Sequence, residues 1–148
     1  MPVKPIPEGY HSVTPYLTVD DAGGLISFLE RAFGGTVKER MEGPDGAVMH
    51  AEVRIGDSIV MLGQARGEWP AQRTTLYLYV EDVDAVWKRA IDAGAKSVRE
   101  VRDEFYGDRS GGVTDPAGNS WFIATHKEDV SPDEMQRRMA AMSKKQAG

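Results

Sequence analysis

The chain has 148 residues, enough for one well-cored domain or two small modules sharing a core, and its 41% hydrophobic and 28% charged residues are those of an ordinary globular protein. A net charge of −5, with no basic patch interleaved with aromatics, speaks against nucleic acid as a partner, and the absence of cysteine excludes disulfides, thiolate catalysis and Cys-ligated metal. No apolar run approaches the roughly 18 residues of a membrane span, and "MPVKPIPEGY" lacks a signal-peptide core, so a cytoplasmic protein with no membrane partner is expected.

In chain order, the first pattern is "YLTVDDAGGLISFLERAFGG" (16–35), which reads as strand, acidic cap, helix and glycine stop. Leu25, Phe28, Leu29, Ala32 and Phe33 form one apolar stripe; Asp21 is the expected N-cap and Gly34 the stop. Three short strand-like runs follow at 36–42, 46–55 and 58–63, separated by "EGPDGA" and by the Gly56-Asp57 pair, which suits a two-residue hairpin. A polar segment, "QARGEWPAQR" (64–73), then leads to "YLYVEDVDAVWKRAIDAGAK" (77–96). This stretch repeats the first one: Tyr16, Leu17, Val19 and Asp21 meet Tyr77, Leu78, Val80 and Asp82. Its helix carries Val83, Val86, Trp87, Ala90 and Ile91 at helical spacing, with Asp82 as cap and Gly94 as stop. Runs at 97–104, 109–114 and 119–125 complete the second half, the last introduced by the type I turn order of "DPAG" (115–118). The tail "SPDEMQRRMAAMSKKQ" (131–146) reads as a separate helix with Ser131 as cap and Glu134 completing a capping box. Its Met135, Met139 and Met142 fall on one stripe and call for an apolar surface on the sheet or on a subunit partner.

Each half is therefore βαβββ, and the predicted fold is α+β: module 1 at about 10–63, a linker at 64–73, module 2 at about 74–126 and a C-terminal helix at about 131–145. The two modules, each too small to bury its apolar face alone, are expected to form a single domain with curved mixed sheets around a cleft.

Paired modules of this order, with "PYLTVDDA…FLERAFGG", "MHAEVRIGDSIVML" and "YGDRSGGVTDPAGNSWFIATH", resemble the vicinal oxygen chelate superfamily of glyoxalase I, bleomycin-resistance proteins, extradiol dioxygenases and fosfomycin-resistance enzymes. Within it the chain is similar to the PhnB-like branch, over about residues 10–128. The resemblance implies that metal enzymes of this kind draw His or Glu ligands from four strand positions. Here these are Thr14, Met61, Thr75 and Phe122, with non-ligands on either side of each. None suits a divalent metal, so no cofactor is expected.

Strand alternation assigns the side chains that share a cleft. Thr14, Tyr16 and Thr18, and likewise Thr75, Tyr77 and Tyr79, fall on one side; Leu17, Val19, Leu76, Leu78 and Val80 back onto the helices. In the third strand His50, Glu52 and Arg54 alternate with Met49, Ala51, Val53 and Ile55. His50 and Glu52 thus point the same way, about 7 Å apart. A His beside a carboxylate suits general acid–base work, so these two are the candidate catalytic pair; the competing reading is a solvated strand face. In "YGDRSG" (106–111), Arg109 is a candidate for an anionic or carbonyl ligand, Tyr106 for stacking, and Asp108 for holding Arg109; the alternative is a structural Asp–Arg pair. Trp121 falls on the core side with Ile123, while His11 and His126 at the module ends are expected to face solvent. Trp69, in the linker, is either a lid or a dimer contact.

The candidate ligand-binding set is thus Thr14, Tyr16, His50, Met61, Thr75, Tyr77, Tyr79, Tyr106, Arg109 and Phe122. Three functions compete: a metal-free homodimer that binds an unidentified small molecule, of sequestration or resistance type; a metal-dependent lyase, isomerase or dioxygenase; and a metal-free enzyme using His50 and Glu52.

Overall fold

A computed structural model describes residues 2–147. It contains, in order, β1 (Tyr16–Val19), α1 (Ala22–Phe33), β2 (Thr36–Glu42), β3 (Val48–Ile55), β4 (Ser58–Gln64), β5 (Thr75–Tyr79), α2 (Val83–Asp92), β6 (Lys96–Asp103), β7 (Asp108–Thr114), β8 (Ser120–His126) and α3 (Pro132–Ala147). The eight strands make two four-stranded sheets with the same connectivity, β1-β4-β3-β2 and β5-β8-β7-β6. In each, the first strand runs parallel to the fourth and the other pairs are antiparallel. The register repeats as well: Tyr16 lies opposite Met61 in the first sheet, and Tyr77 opposite Phe122 in the second.

The caps follow the acidic residues read from the sequence. The Asp21 carboxylate accepts from the Gly24 amide at 3.0 Å and Asp82 from Ala85 at 3.2 Å, each satisfying an orphan donor of a first turn. Gly34 ends α1 in the left-handed region, at φ 66°, where a side chain would be strained. The "DPAGN" turn is built around the buried Asp115 carboxylate, which accepts from the Ala117 and Asn119 amides and from the Trp121 indole at 2.8 Å. The Asn119 side chain meanwhile receives the Thr74 amide at 3.0 Å, which ties the turn to the start of β5.

One hydrophobic core runs through both modules. From module 1 it takes Leu17, Leu25, Ile26, Phe28, Leu29, Val53 and Leu62, and from module 2 Val83, Ala90, Val113, Trp121 and Ile123. The helices meet where Arg31 donates to the Ala93 carbonyl at 3.1 Å and Arg89 to the Arg31 carbonyl at 3.0 Å. Beside them the Phe33 and Trp121 rings lie 4.8 Å apart. The two helices are not equally buried. α1 sinks six residues into the core, whereas α2 sinks only Val83 and Ala90. Leu76 and Leu78 accordingly back onto the core but stay partly exposed.

Ser131 caps α3 through the Glu134 amide at 3.2 Å. The Glu134 carboxylate, however, pairs with Arg137 and Arg138 rather than closing a capping box. Arg138 also reaches the Phe105 carbonyl and Glu128, and so fastens the helix to the loop before β7. Met139 and Met142 remain exposed. No helix of the described residues is long and apolar enough to cross a membrane.

Candidate functional site

Each sheet packs one face on the core and leaves the other open, because β-strand side chains alternate. On the open face of the first sheet, Tyr16, His50, Glu52 and Met61 come together. Tyr16 pairs with Met61, and Met61 with Glu52, across adjacent strands. The Glu52 carboxylate is 7% exposed. It accepts from the Tyr10 hydroxyl and, at 2.7 Å, from His50 Nε2. A carboxylate is an acceptor only, so this partner places a proton on Nε2, and in the neutral imidazole Nδ1 is then a lone pair. That lone pair faces the Tyr16 hydroxyl at 3.2 Å. The result is a chain of carboxylate, imidazole and phenol. Its outermost member, Tyr16, lines a cavity of about 690 Å³ together with Thr18, Met49, Gln64, Arg66 and Trp69.

Tyr10 lies outside both repeats and belongs to the segment before β1, where no repeat or strand pattern marks it. Its ring is also covered by the Lys38 ammonium, 4.1 Å from the ring centre. Thr14 precedes β1 rather than lying within it, and its hydroxyl donates to the His11 carbonyl at 3.3 Å. Gln64 clamps the start of α1, accepting from the Ala22 amide and donating to the Asp20 carbonyl.

On the open face of the second sheet the centre is Asp108, only 4% exposed. It accepts from the Tyr77 hydroxyl at 2.8 Å, the Tyr79 hydroxyl at 2.9 Å and His126 Nδ1 at 2.8 Å. Burial pushes the Asp108 carboxyl up, but the bonds from His126 and the two phenols outweigh it and hold the group below its usual range. Burial first, and then the bonds to Tyr106 and Asp108, raise the Tyr77 phenol, and the bond to Asp108 raises that of Tyr79. Tyr106 approaches Tyr77 at 3.3 Å, and the Phe122 ring stacks near Tyr77 with centres 6.4 Å apart. Thr75, at the start of β5, is exposed.

Arg109 is not part of this group. Asp108 and Arg109 are consecutive in β7 and therefore point to opposite faces. Arg109 forks onto Asp84 of α2, with two bonds of 2.9 Å, and onto Asp103 at 3.3 Å. These carboxylates, Asp84 first, raise the guanidinium further, and Arg109 in turn holds Asp84 low. The expected Asp108–Arg109 pair is thus replaced by two separate arrangements. His126 faces solvent as expected, its side chain half exposed, and its ring is also bonded on both sides, to Asp108 and to Asp129 at 2.7 Å. Its place on this face was readable: it follows Phe122 and Ala124 at strand spacing.

The positions that correspond to metal ligands carry a hydroxyl ahead of β1, a thioether, a second hydroxyl and a phenyl ring, from Thr14, Met61, Thr75 and Phe122. Such a donor set does not fit a divalent cation. Among the described residues no group of three or more His, Cys, Asp and Glu side chains is placed to hold one.

Two βαβββ modules on a shared core, each with an open sheet face, define a glyoxalase-type fold. The family model of the Glyoxalase/Bleomycin resistance protein/Dioxygenase superfamily matches residues 9–123, and the chain belongs to that superfamily. It is 36% identical over 141 residues to an uncharacterized protein of Mycobacterium bovis, covering 88% of this chain and 93% of that one. An uncharacterized protein of Mycobacterium tuberculosis H37Rv is 36% identical over the same length, with 83% of it covered. Among solved structures, TioX from Micromonospora sp. ML1 superposes with a TM-score of 0.68 at 25% identity, covering 78% of this chain and 98% of TioX. TnmS3, an antibiotic binding protein from Streptomyces sp. CB03234, gives 0.64 at 21% identity, covering 79% and 96%, a likeness of fold.

Proposed function

We propose that the protein is a metal-free homodimer that binds a small organic molecule, in the manner of a sequestration or resistance protein. The observation that carries this reading is the cavity of about 690 Å³ on the open face of the first sheet. That volume lies within the range of small-molecule sites, about 300–1,000 Å³, and its lining mixes aromatic walls with a few polar groups. The unsuitable donors Met61 and Phe122 support the metal-free part. The exposed Tyr77, Tyr79, Met139 and Met142 support a partner subunit, since they leave apolar surface uncovered. TnmS3 is an example of this fold holding an antibiotic.

Native mass spectrometry of protein purified without chelators tests all parts together. The expected species is twice the 16.3 kDa chain, without stoichiometric zinc, nickel or manganese, and gains the mass of an aromatic compound from a screened library. A monomer at micromolar concentration removes the dimer, and one tightly held ion per chain removes the metal-free reading. A library without a single adduct removes the binding function. One observation favours a second reading, a metal-free enzyme: the order Glu52, His50, Tyr16 is that of an oriented base acting on a hydroxyl. Recovery of the bound compound chemically altered, in wild type and not in His50→Gln, is the result that selects it.

A further inference from the structure

The linker between the modules folds back as a two-residue hairpin. Arg66 and Trp69 exchange both main-chain hydrogen bonds, with Gly67 and Glu68 at the tip. Residues directly opposed in such a pair project to the same side, and both line the cavity that contains Tyr16. The Arg66 guanidinium makes no ion pair among the described residues. Its side-chain contact is Nη1 on the Met49 sulfur, at 3.6 Å. Arg109, on the second sheet, is by contrast paired with Asp84 and Asp103. Glu68 also lines the cavity and does not engage Arg66. Trp69 is 63% exposed, which leaves much of its planar surface open.

Tyr16 supplies the complementary group. With His50 held by Glu52 as the Nε2–H tautomer, the phenol hydrogen is committed to His50 Nδ1. The oxygen of Tyr16 then offers the cavity a lone pair, so it accepts from a ligand instead of donating. The cavity therefore presents a cation without a direct ion pair, a largely open aromatic surface and a buttressed acceptor.

Resting on the binding function proposed above, we infer that the ligand is a planar aromatic acid that also carries a hydroxyl. Its carboxylate pairs with Arg66 in the bidentate geometry that guanidinium favours. Its ring stacks on Trp69, and its hydroxyl donates to Tyr16.

Three probes of one shape separate these contacts by isothermal titration calorimetry: 6-hydroxy-2-naphthoate, 2-naphthoate and 6-hydroxy-2-naphthamide. The hydroxy-acid is expected to bind tightest. Arg66→Gln should weaken both acids by about tenfold or more, the loss of a charge-assisted pair, and leave the amide unchanged. Tyr16→Phe should abolish the preference of the hydroxy-acid over 2-naphthoate, and Glu68→Gln should tighten both acids. Thermal melts of each variant confirm folding; Arg66 and Glu68 are exposed, so their substitution leaves the core intact. An amide that binds as well as the acids, or acids indifferent to Arg66→Gln, overturns the inference while the binding function stands. If no naphthalene probe binds up to millimolar concentration but another compound class does, the inference falls in the same way. No binding by any compound removes both.

Discussion

His126 sits between two carboxylates, and its charge is coupled to the open face of the second sheet. Asp129 first, and then Asp108, raise its pKa above the ordinary value, while Asp108 is held low in return. For His126 the stabilisation is complete below about 6.5, the unfolded value, and is lost as pH rises through the higher folded value. For Asp108 it is present above about 3.9 and is lost as pH falls through the lowered folded value. The advantage of wild type over His126→Asn, measured as a urea midpoint, should therefore be greatest between these limits and shrink above neutrality. The NMR titration of His126 should have its midpoint above 6.5, and Asp129→Asn should lower it. A midpoint at or below 6.5 in wild type would show that the pair does not form in solution. Alternation in β8 made the His126 position legible, and the same rule applied to β7 separates Arg109 from Asp108. What the sequence could not supply is the partner: Asp84, on a helix 25 residues before Arg109, competes for the guanidinium and wins by geometry. Tyr10 was illegible for a related reason, since nothing local distinguishes a tyrosine that folds back onto β3 from a solvated one.

The two βαβββ elements share connectivity, caps and register, but differ in how thoroughly each is buried. Leu17 and Leu78 occupy matching places in the repeat, and only Leu17 is fully enclosed. The cause lies in the helices. α1 offers Leu25, Ile26, Phe28 and Leu29 to its sheet, while α2 offers Val83 and Ala90 with Trp87 and Ile91 only partly covered. Leu17→Ala should therefore cost roughly 2–5 kcal/mol through the cavity it leaves. Leu78→Ala should cost under about 2 kcal/mol, because part of the removed surface already meets water. Chemical denaturation of both variants checks this, and equal losses would mean that β5 is covered in solution by something further, such as a partner subunit. Strand order, helix faces, caps and the Asp115 turn were all present in the sequence as periodicity and punctuation. The unequal burial was not, because apolar spacing says which face turns inward and is silent on how much mass lies above it.

At the scale of the whole molecule, the modules ought to unfold as one. Neither sheet closes on itself, and the core passes from α1 through Phe33 to Trp121 without an intervening polar layer. The helix–helix contact is tied by two arginines bonded to main-chain carbonyls of the opposite module. Module 2, with the thinner helix cover, depends most on its neighbour. Removing apolar volume from module 1 should thus destabilise module 2 by the same amount, as a single cooperative transition requires. Leu25→Ala in α1 is the probe, for its side chain is 1% exposed and lies in module 1. The readout in module 2 is tryptophan fluorescence in a Trp69→Phe background, which leaves Trp87 and Trp121 to report. In that background the fluorescence and far-UV circular dichroism transitions in urea should coincide, and Leu25→Ala should move both together by an amount equivalent to roughly 2–5 kcal/mol. A shift of the circular dichroism curve with the fluorescence curve left in place would mean two independent folding units, and the shared core would then be a contact between them rather than their common foundation.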